Sequence, residues 1–314
     1  MDPRLKLLYF VLDIVLPLAV GYLLHRRGAF SQPRLDRLMH WNMLAVVPVL
    51  NGLAFWHAQL DPTLLWLPVF GVVMQIVPGL LGFACVGRKY DHGPERASFI
   101  LASMLSNRGI VGTITVYILY QQAGFVWAQL IMLLAPIVFY LFCLPLAQFY
   151  STPTDERARP SLAKMLFTRN QVPLIGIALG TALNVAGLSQ PDAVEPMFPW
   201  LVHLMSWLFL LPVGYAMRFG RMGEYWTDLL ELSAIKFLIT PAIIAALAWG
   251  VGLRGEMLAT VVILAAAPTA VMAVVAGRLT RINLHLTLAA FVLTTIVYLV
   301  IVFPLILLIF GRAD

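Results

Sequence analysis

The chain has 314 residues, of which 61% are hydrophobic and 11% charged, with a net charge of +6. Soluble domains are about a quarter charged, so a soluble single-core protein is excluded and lipid is the expected solvent for most of this surface. The basic surplus is spread through loops between apolar runs, which argues against a nucleic-acid partner and for a membrane topology signal.

A bilayer takes about 20 apolar residues per helix. Ten runs of that kind follow in chain order: roughly 5–25, 38–56, 63–86, 97–120, 125–149, 170–188, 197–217, 229–252, 257–277 and 283–310. The expected fold class is therefore an all-α membrane protein. The first run follows Arg4 and Lys6 and ends in His25-Arg26-Arg27 with no small-residue cleavage site, so it is read as a retained span. Within it Asp13 is the one acid deep in any run. It reads as a proton carrier for coupling or as the charge partner of a buried base, the structural role ranking first. Asn51 and Gln75 lie near Pro48 and Pro78 in the second and third runs. They are candidate neutral ligands for a substrate, or else interhelical hydrogen bonds. Cys85 and Cys143 both fall inside apolar runs, so neither a disulfide framework nor a metal site is expected.

The fourth run is interrupted by Ser106-Asn107-Arg108-Gly109. A hydrocarbon core has no water to satisfy loose backbone groups, so a helix breaker and a charge there call for a cavity-lining, broken helix. The longest connection, 151–164, contains Thr152-Pro153-Thr154-Asp155-Glu156-Arg157 and reads as a polar cytoplasmic linker. Lys236 lies about two turns into the eighth run, before Thr240-Pro241. It either joins the site as a coupling or pairing charge or snorkels beside Asp228 and Glu231. His57 and His203 sit toward run ends and read as interfacial, and Trp66 and Trp200 fit an aromatic belt. The ninth run carries Ala267-Pro268-Thr269-Ala270.

Odd-numbered connections hold 15 Lys/Arg residues against 4 on the opposite side. By the positive-inside rule both termini face away from the cytoplasm of a cell (inner) membrane. The halves also echo each other. Ser31-Gln32-Pro33 recurs as Ser189-Gln190-Pro191 at an offset of 158, Gly21 maps to Gly180 and Pro145 to Pro304 at 159, Pro78 to Pro241 at 163, and Pro48 to Pro212 at 164. Five spans per half is an odd number, so residues 1–150 and 165–314 are expected to form two inverted five-helix repeats, with the site near the midplane. At that offset Asn107, Arg108 and Gly109 in span 4 face Pro268 and Thr269 in span 9. Each span is expected to break there, placing two half-helix N-termini, with their partial positive charge and free N–H groups, at the crossing. Arg108 adds a full charge and a planar fork suited to carboxylate. The bland alternative is a glycine packing surface, with Arg108 paired to an acid such as Asp13.

Asn107-x-Gly109-x-x-Gly112, Lys236 before Pro241, Ala267-Pro268-Thr269-Ala270, and the closing Ala289-Ala290-Phe291-Val292-Leu293-Thr294-Thr295 with Phe303-Pro304-Leu305 together resemble the auxin efflux carrier family. The resemblance covers nearly the whole chain and is strongest in its last eighty or so residues. It implies a scaffold domain and a crossover transport domain, an elevator-like cycle, a homodimer formed through the scaffold, and small organic anions such as auxin, malate or malonate as substrates. Asn107, Pro268 and their neighbours would bind the substrate carboxylate. Two departures stand out. Thr113-Ile114 occupies the place where the family often has a proline, and Arg108 is an unusual occupant, expected to shift preference toward more anionic molecules.

A sodium-coupled bile-acid-type symporter shares the architecture, and its Ser-Asn pair matches Ser106-Asn107. Hard cations prefer oxygen ligands that include a carboxylate, and 257–313 contains no Asp or Glu, which disfavours this reading. An intramembrane enzyme would need a histidine and an acid on one face, and the six histidines are scattered. A sensor that binds ligand without moving it is the third reading. No cofactor is expected.

Overall fold

A computed structural model describes residues 2–28, 30–86, 89–150, 172–217, 222–280 and 282–311. Among these, twelve helices form: α1 (3–26), α2 (32–56), α3 (62–86), α4 (Gly93–Met104), α5 (108–120), α6 (122–150), α7 (Val172–Val185), α8 (Met197–Ala216), α9 (222–250), α10 (Gly255–Ala265), α11 (Val271–Thr280) and α12 (284–310). The expected 151–164 linker and the first two residues of the sixth run lie outside the described residues, as do Arg218, Arg221 and Arg281.

Prolines shape these helices in a repeated way. Proline has no N–H, and its ring crowds the carbonyl four residues back. At Pro17, Pro48, Pro145, Pro241 and Pro304 the preceding residue therefore reaches back five residues rather than four. Leu16 N–H bonds the Val11 carbonyl, Val47 bonds Asn42, Leu144 bonds Phe139, Thr240 bonds Ile235 and Phe303 bonds Tyr298. Each becomes a single π turn inside an otherwise α-helical rod. Pro78 and Pro212 are carried inside unwidened helices.

Seven stretches of the described residues are long and apolar enough to cross a membrane. One of them, Arg108–Tyr150, has 43 residues, or roughly 65 Å of helix against about 30 Å of hydrocarbon. It does not run straight. Gln121 has φ 54° and ψ −139°, and a Cβ on Gly124 would lie 2.5 Å from the Val116 carbonyl oxygen. In a continuous helix residues eight apart are separated by about 12 Å, so the chain bends back at Gln121 and α5 and α6 are separate passes. The expected runs missing from the set of seven are 97–120, 170–188 and 257–277. The first and third are divided by interruptions at 105–107 and 266–270, and α7 is a shorter apolar helix. The two ends of the chain meet: Lys6 Nζ donates to the Gly311 carbonyl at 3.0 Å, and the Phe10 and Phe303 rings stack. The first and last helices thus bring the two ends of the described chain together.

Two helix pairs pack backbone to backbone. Gly176 and Gly180 of α7 abut the carbonyls of Pro48 and Gly52 in α2, and Gly21 of α1 and Gly214 of α8 abut the carbonyls of Leu211 and Leu18. A Cβ at any of these would sit 2.0–2.3 Å from the facing oxygen. One buried cluster runs through α1, α2, α3, α5, α6, α8, α9, α10, α11 and α12, and a second joins the end of α3 to α4, α6, α9, α11 and the start of α12.

Candidate functional site: the crossing of two broken helices

The last turn of any helix leaves four carbonyls without intrahelical partners. In α4 all four are taken, each by a different source. The Leu101 carbonyl accepts from Leu105 N–H at 2.9 Å, Ala102 from Thr269 Oγ1 at 3.1 Å, Ser103 from Lys236 Nζ at 3.0 Å, and Met104 from Arg108 Nη2 at 3.1 Å. The chain then runs extended through Leu105 and pairs with the second interruption as a short antiparallel bridge between Ser106 and Thr269. Asn107 N–H donates to the Pro268 carbonyl at 2.7 Å, and Ala270 N–H to the Leu105 carbonyl at 2.8 Å. Thr269 N–H is received by Thr294 Oγ1 at 2.9 Å, from α12. The breaks predicted at Asn107-Arg108-Gly109 and at Pro268-Thr269 therefore meet and are stitched by backbone.

Beyond the bridge, α5 opens with a π turn over Arg108–Gly112 in which Thr113 N–H reaches back to the Arg108 carbonyl, and Thr113 Oγ1 bonds that same carbonyl at 3.0 Å. Gly112 is fixed by contact: a Cβ there would lie 2.6 Å from Leu264 Cδ2 of α10, whereas at Gly109 it would meet only the Met132 methyl at 3.3 Å. The first-turn N–H groups of α5 and α11 have no intrahelical acceptor by construction and carry the positive end of the helix dipole.

Two cations are buried here, Arg108 at 3% and Lys236 at 1% exposure. Lys236 Nζ bonds only neutral oxygens, the Ser103 carbonyl and Ser106 Oγ at 2.8 Å. Arg108 Nε is buried and unpartnered. Among the described residues neither bonds a carboxylate. Their heads hold the carbonyls of consecutive residues at the C-terminus of α4, whose dipole offers about half a negative charge. When both heads are protonated, their charge exceeds what the bonded oxygens and the α4 dipole supply.

The other predicted residues are placed as follows. Asp228 and Glu231 do not draw Lys236 outward. They hold Lys89 at 2.8 and 2.9 Å, and Lys236 stays buried because it caps α4. Asn51 is not brought to the crossing: its Nδ2 donates to the Pro173 carbonyl at 3.1 Å, beside the glycine contacts of α2 and α7, so it serves as an interhelical bond. Gln75 is buried on the α3 face that carries Gly71 and Gly79, the latter against the Met104 side chain, and its Oε1 has no partner. Asp13 does not meet Arg108. Its carboxylate lies 2.7 Å from His203 Nδ1, so His203 is a pairing residue rather than an interfacial one. Ser106, named in the interruption but not among the candidate ligands, holds Lys236; Thr294 is a participant that residue-by-residue reading missed, although it lies in the singled-out Ala289–Thr295 run. A separate cavity of about 520 Å³ lies between the ends of α2, α3, α6 and α10, lined in part by His57, Asp61, Gln122 and Glu256. It is roughly 20 Å from Arg108 along α5.

These features define a multi-pass, all-α membrane protein with two interrupted helices joined at a cation-rich crossing. No protein-family model matches the chain. A curated protein of Methanothermobacter thermautotrophicus described as an uncharacterized transporter is 20% identical over 293 residues, covering 92% of this chain and 94% of the relative.

Proposed function

We propose that the chain is a secondary transporter that moves small organic anions, of the kind exemplified by auxin-like monocarboxylates and malate- or malonate-like dicarboxylates. The observation that carries this reading is the pair Arg108 and Lys236, buried beside a helix crossing with no carboxylate bound to either. An unbalanced charge in a low-dielectric interior is costly, and an anion entering between the bridge and the first turn of α5 relieves that cost. Asn107, Gly109, Pro268 and Thr269 shape the crossing, and Gln75 offers a free acceptor on the neighbouring wall. The relative's printed description as a transporter points the same way.

The finer architecture belongs to the same proposal: ten crossings arranged as two inverted five-helix repeats, 1–150 and 165–314. It is supported by the meeting of the two chain ends, as an even number of crossings requires, by the breaks at corresponding places in the two halves, and by the matching pairs α1–α8 and α2–α7. With α1, α2, α7 and α8 as a dimeric scaffold and the crossing in a moving domain, an elevator-like cycle follows, as in the auxin efflux carrier family that the sequence resembles. Both termini lie outside a cell membrane in this reading, and export is the expected direction.

The test is counterflow of radiolabelled malonate and of indole-3-acetate in proteoliposomes, with Arg108→Gln and Lys236→Gln. Glutamine keeps a donor for the α4 carbonyls but removes the charge. The expected result is counterflow by the wild type, and in each variant about a tenfold or greater loss of affinity, equivalent to about 1.4 kcal/mol, with folded yield retained. Unchanged affinity in both variants, or binding without exchange, would overturn the reading.

A further inference from the structure

A second charged site lies away from the crossing. Asp13 is 2% exposed and sits in the π turn Val11–Val15 of α1. Pro17, four residues on, has no N–H to give the Asp13 carbonyl, and Ser206 Oγ of α8 donates to that carbonyl instead. One turn earlier on α8, His203 Nδ1 lies 2.7 Å from Asp13 Oδ2 and 2.9 Å from Oδ1, with its side chain 23% exposed. The surrounding groups are Tyr9, whose ring lies 5.1 Å from that of His203, and Trp200 at 6.3 Å. Tyr117 of α5 faces the pair electrostatically. Lys6, the nearest cation on α1, is engaged with the Gly311 carbonyl two turns away. Among the described residues no other ionised side chain bonds Asp13 or His203.

We propose that Asp13 and His203 form a proton-binding site inside the membrane that couples proton movement to anion transport. With one proton held between them the pair is net neutral, as carboxylate and imidazolium or as carboxylic acid and imidazole. Without it the pair is a lone buried negative charge. Charge in the bilayer is expensive and ionisable groups there mark proton relays and coupling sites. The loaded state is therefore the one that a hydrocarbon setting tolerates. In this proposal the proton enters through His203, the partly exposed member of the pair. The location also suits coupling, because α8 packs on α5 through the Phe198–Tyr117 ring contact at 6.0 Å, and α5 begins at Arg108.

This proposal rests on the transport reading, and one experiment separates the two. Proteoliposomes with an internal pH dye receive radiolabelled malonate. Exchange is measured as counterflow at equal pH, and coupling as accumulation under a pH gradient together with the dye signal. The expected result is that the wild type exchanges malonate, accumulates it under the gradient and moves protons with it. Asp13→Asn and His203→Gln are expected to keep counterflow and lose both gradient-driven accumulation and the dye signal. No wild-type counterflow would sink the transport reading. Wild-type counterflow with no dye signal, or variants that still accumulate, would sink the proton site alone. Should both variants fail to fold, the proton-to-malonate ratio of the wild type decides, and a ratio of zero rejects the site.

Discussion

Thr294 shows how one hydroxyl can hold a broken helix in place. It accepts the Thr269 N–H and gives its own proton to the Ala290 carbonyl at 2.7 Å. Thr294→Val preserves the shape but orphans a fully buried amide, so it should cost about 1–3 kcal/mol, read as a lower melting temperature of the detergent-solubilised protein. A melting curve like the wild type's would mean that the amide finds another acceptor. Asn107, Arg108 and Pro268 were legible in the sequence because a breaker or charge in an apolar run is rare and costly. Thr294 was not, since a threonine that bonds a carbonyl one turn back looks the same on any membrane helix. The partner of Asp13 was equally hidden. His203 lies 190 residues away, and its ordinary neighbours, Trp200 and Met205, suggest only an interface.

At the scale of the helix, π turns and buried polar groups coincide. The five turns before Pro17, Pro48, Pro145, Pro241 and Pro304 contain buried Asp13, Asn42, Cys143, Lys236 and Tyr298, and the turn opening α5 contains Arg108. Widening one turn turns a side chain off the regular stripe and frees backbone groups for it to meet. A proline four or five residues after Asp13 and Lys236 was therefore a readable sign that these two charges face inward. Glycine contacts give a sharper contrast. Gly180→Ala puts a methyl 2.3 Å from a backbone oxygen that cannot move alone, whereas Gly109→Ala meets only a flexible methionine end. The first should lose about 1–3 kcal/mol or more through overpacking, and the second should melt close to the wild type; equal losses would contradict this packing. Lys89 ties the α3–α4 connection to α9. Burial opposes its charge, but the bonds to Asp228 and Glu231 outweigh that and raise it above its ordinary value of 10.5. Its contribution is thus fully present at neutral pH and fades only as pH climbs past that value. Lys89→Gln should lower the melting temperature at neutral pH, with the gap to wild type closing in strong alkali.

For the whole molecule, the membrane class and the joined breaks were legible from apolar run lengths and from a proline-glycine offset near half the chain. The boundary between runs 97–120 and 125–149 was legible too and falls where the chain bends at Gln121, although Arg108–Tyr150 is one continuous apolar stretch. The Lys6–Gly311 contact makes a topological prediction. In a background lacking Cys85 and Cys143, cysteines placed at Arg4 and at Arg312 should react with a membrane-impermeant maleimide from the same side. Labelling from opposite sides would contradict an even number of crossings. The Ser106–Thr269 bridge has one more consequence. Its bonds run between main-chain atoms, so the bridge itself does not depend on the identity of the side chain at 109. Replacements at 108 and 236 must still cap the Met104 and Ser103 carbonyls. Within that constraint, and on the proposed function, the choice of anion could be rewritten in a few codons around an unaltered bridge.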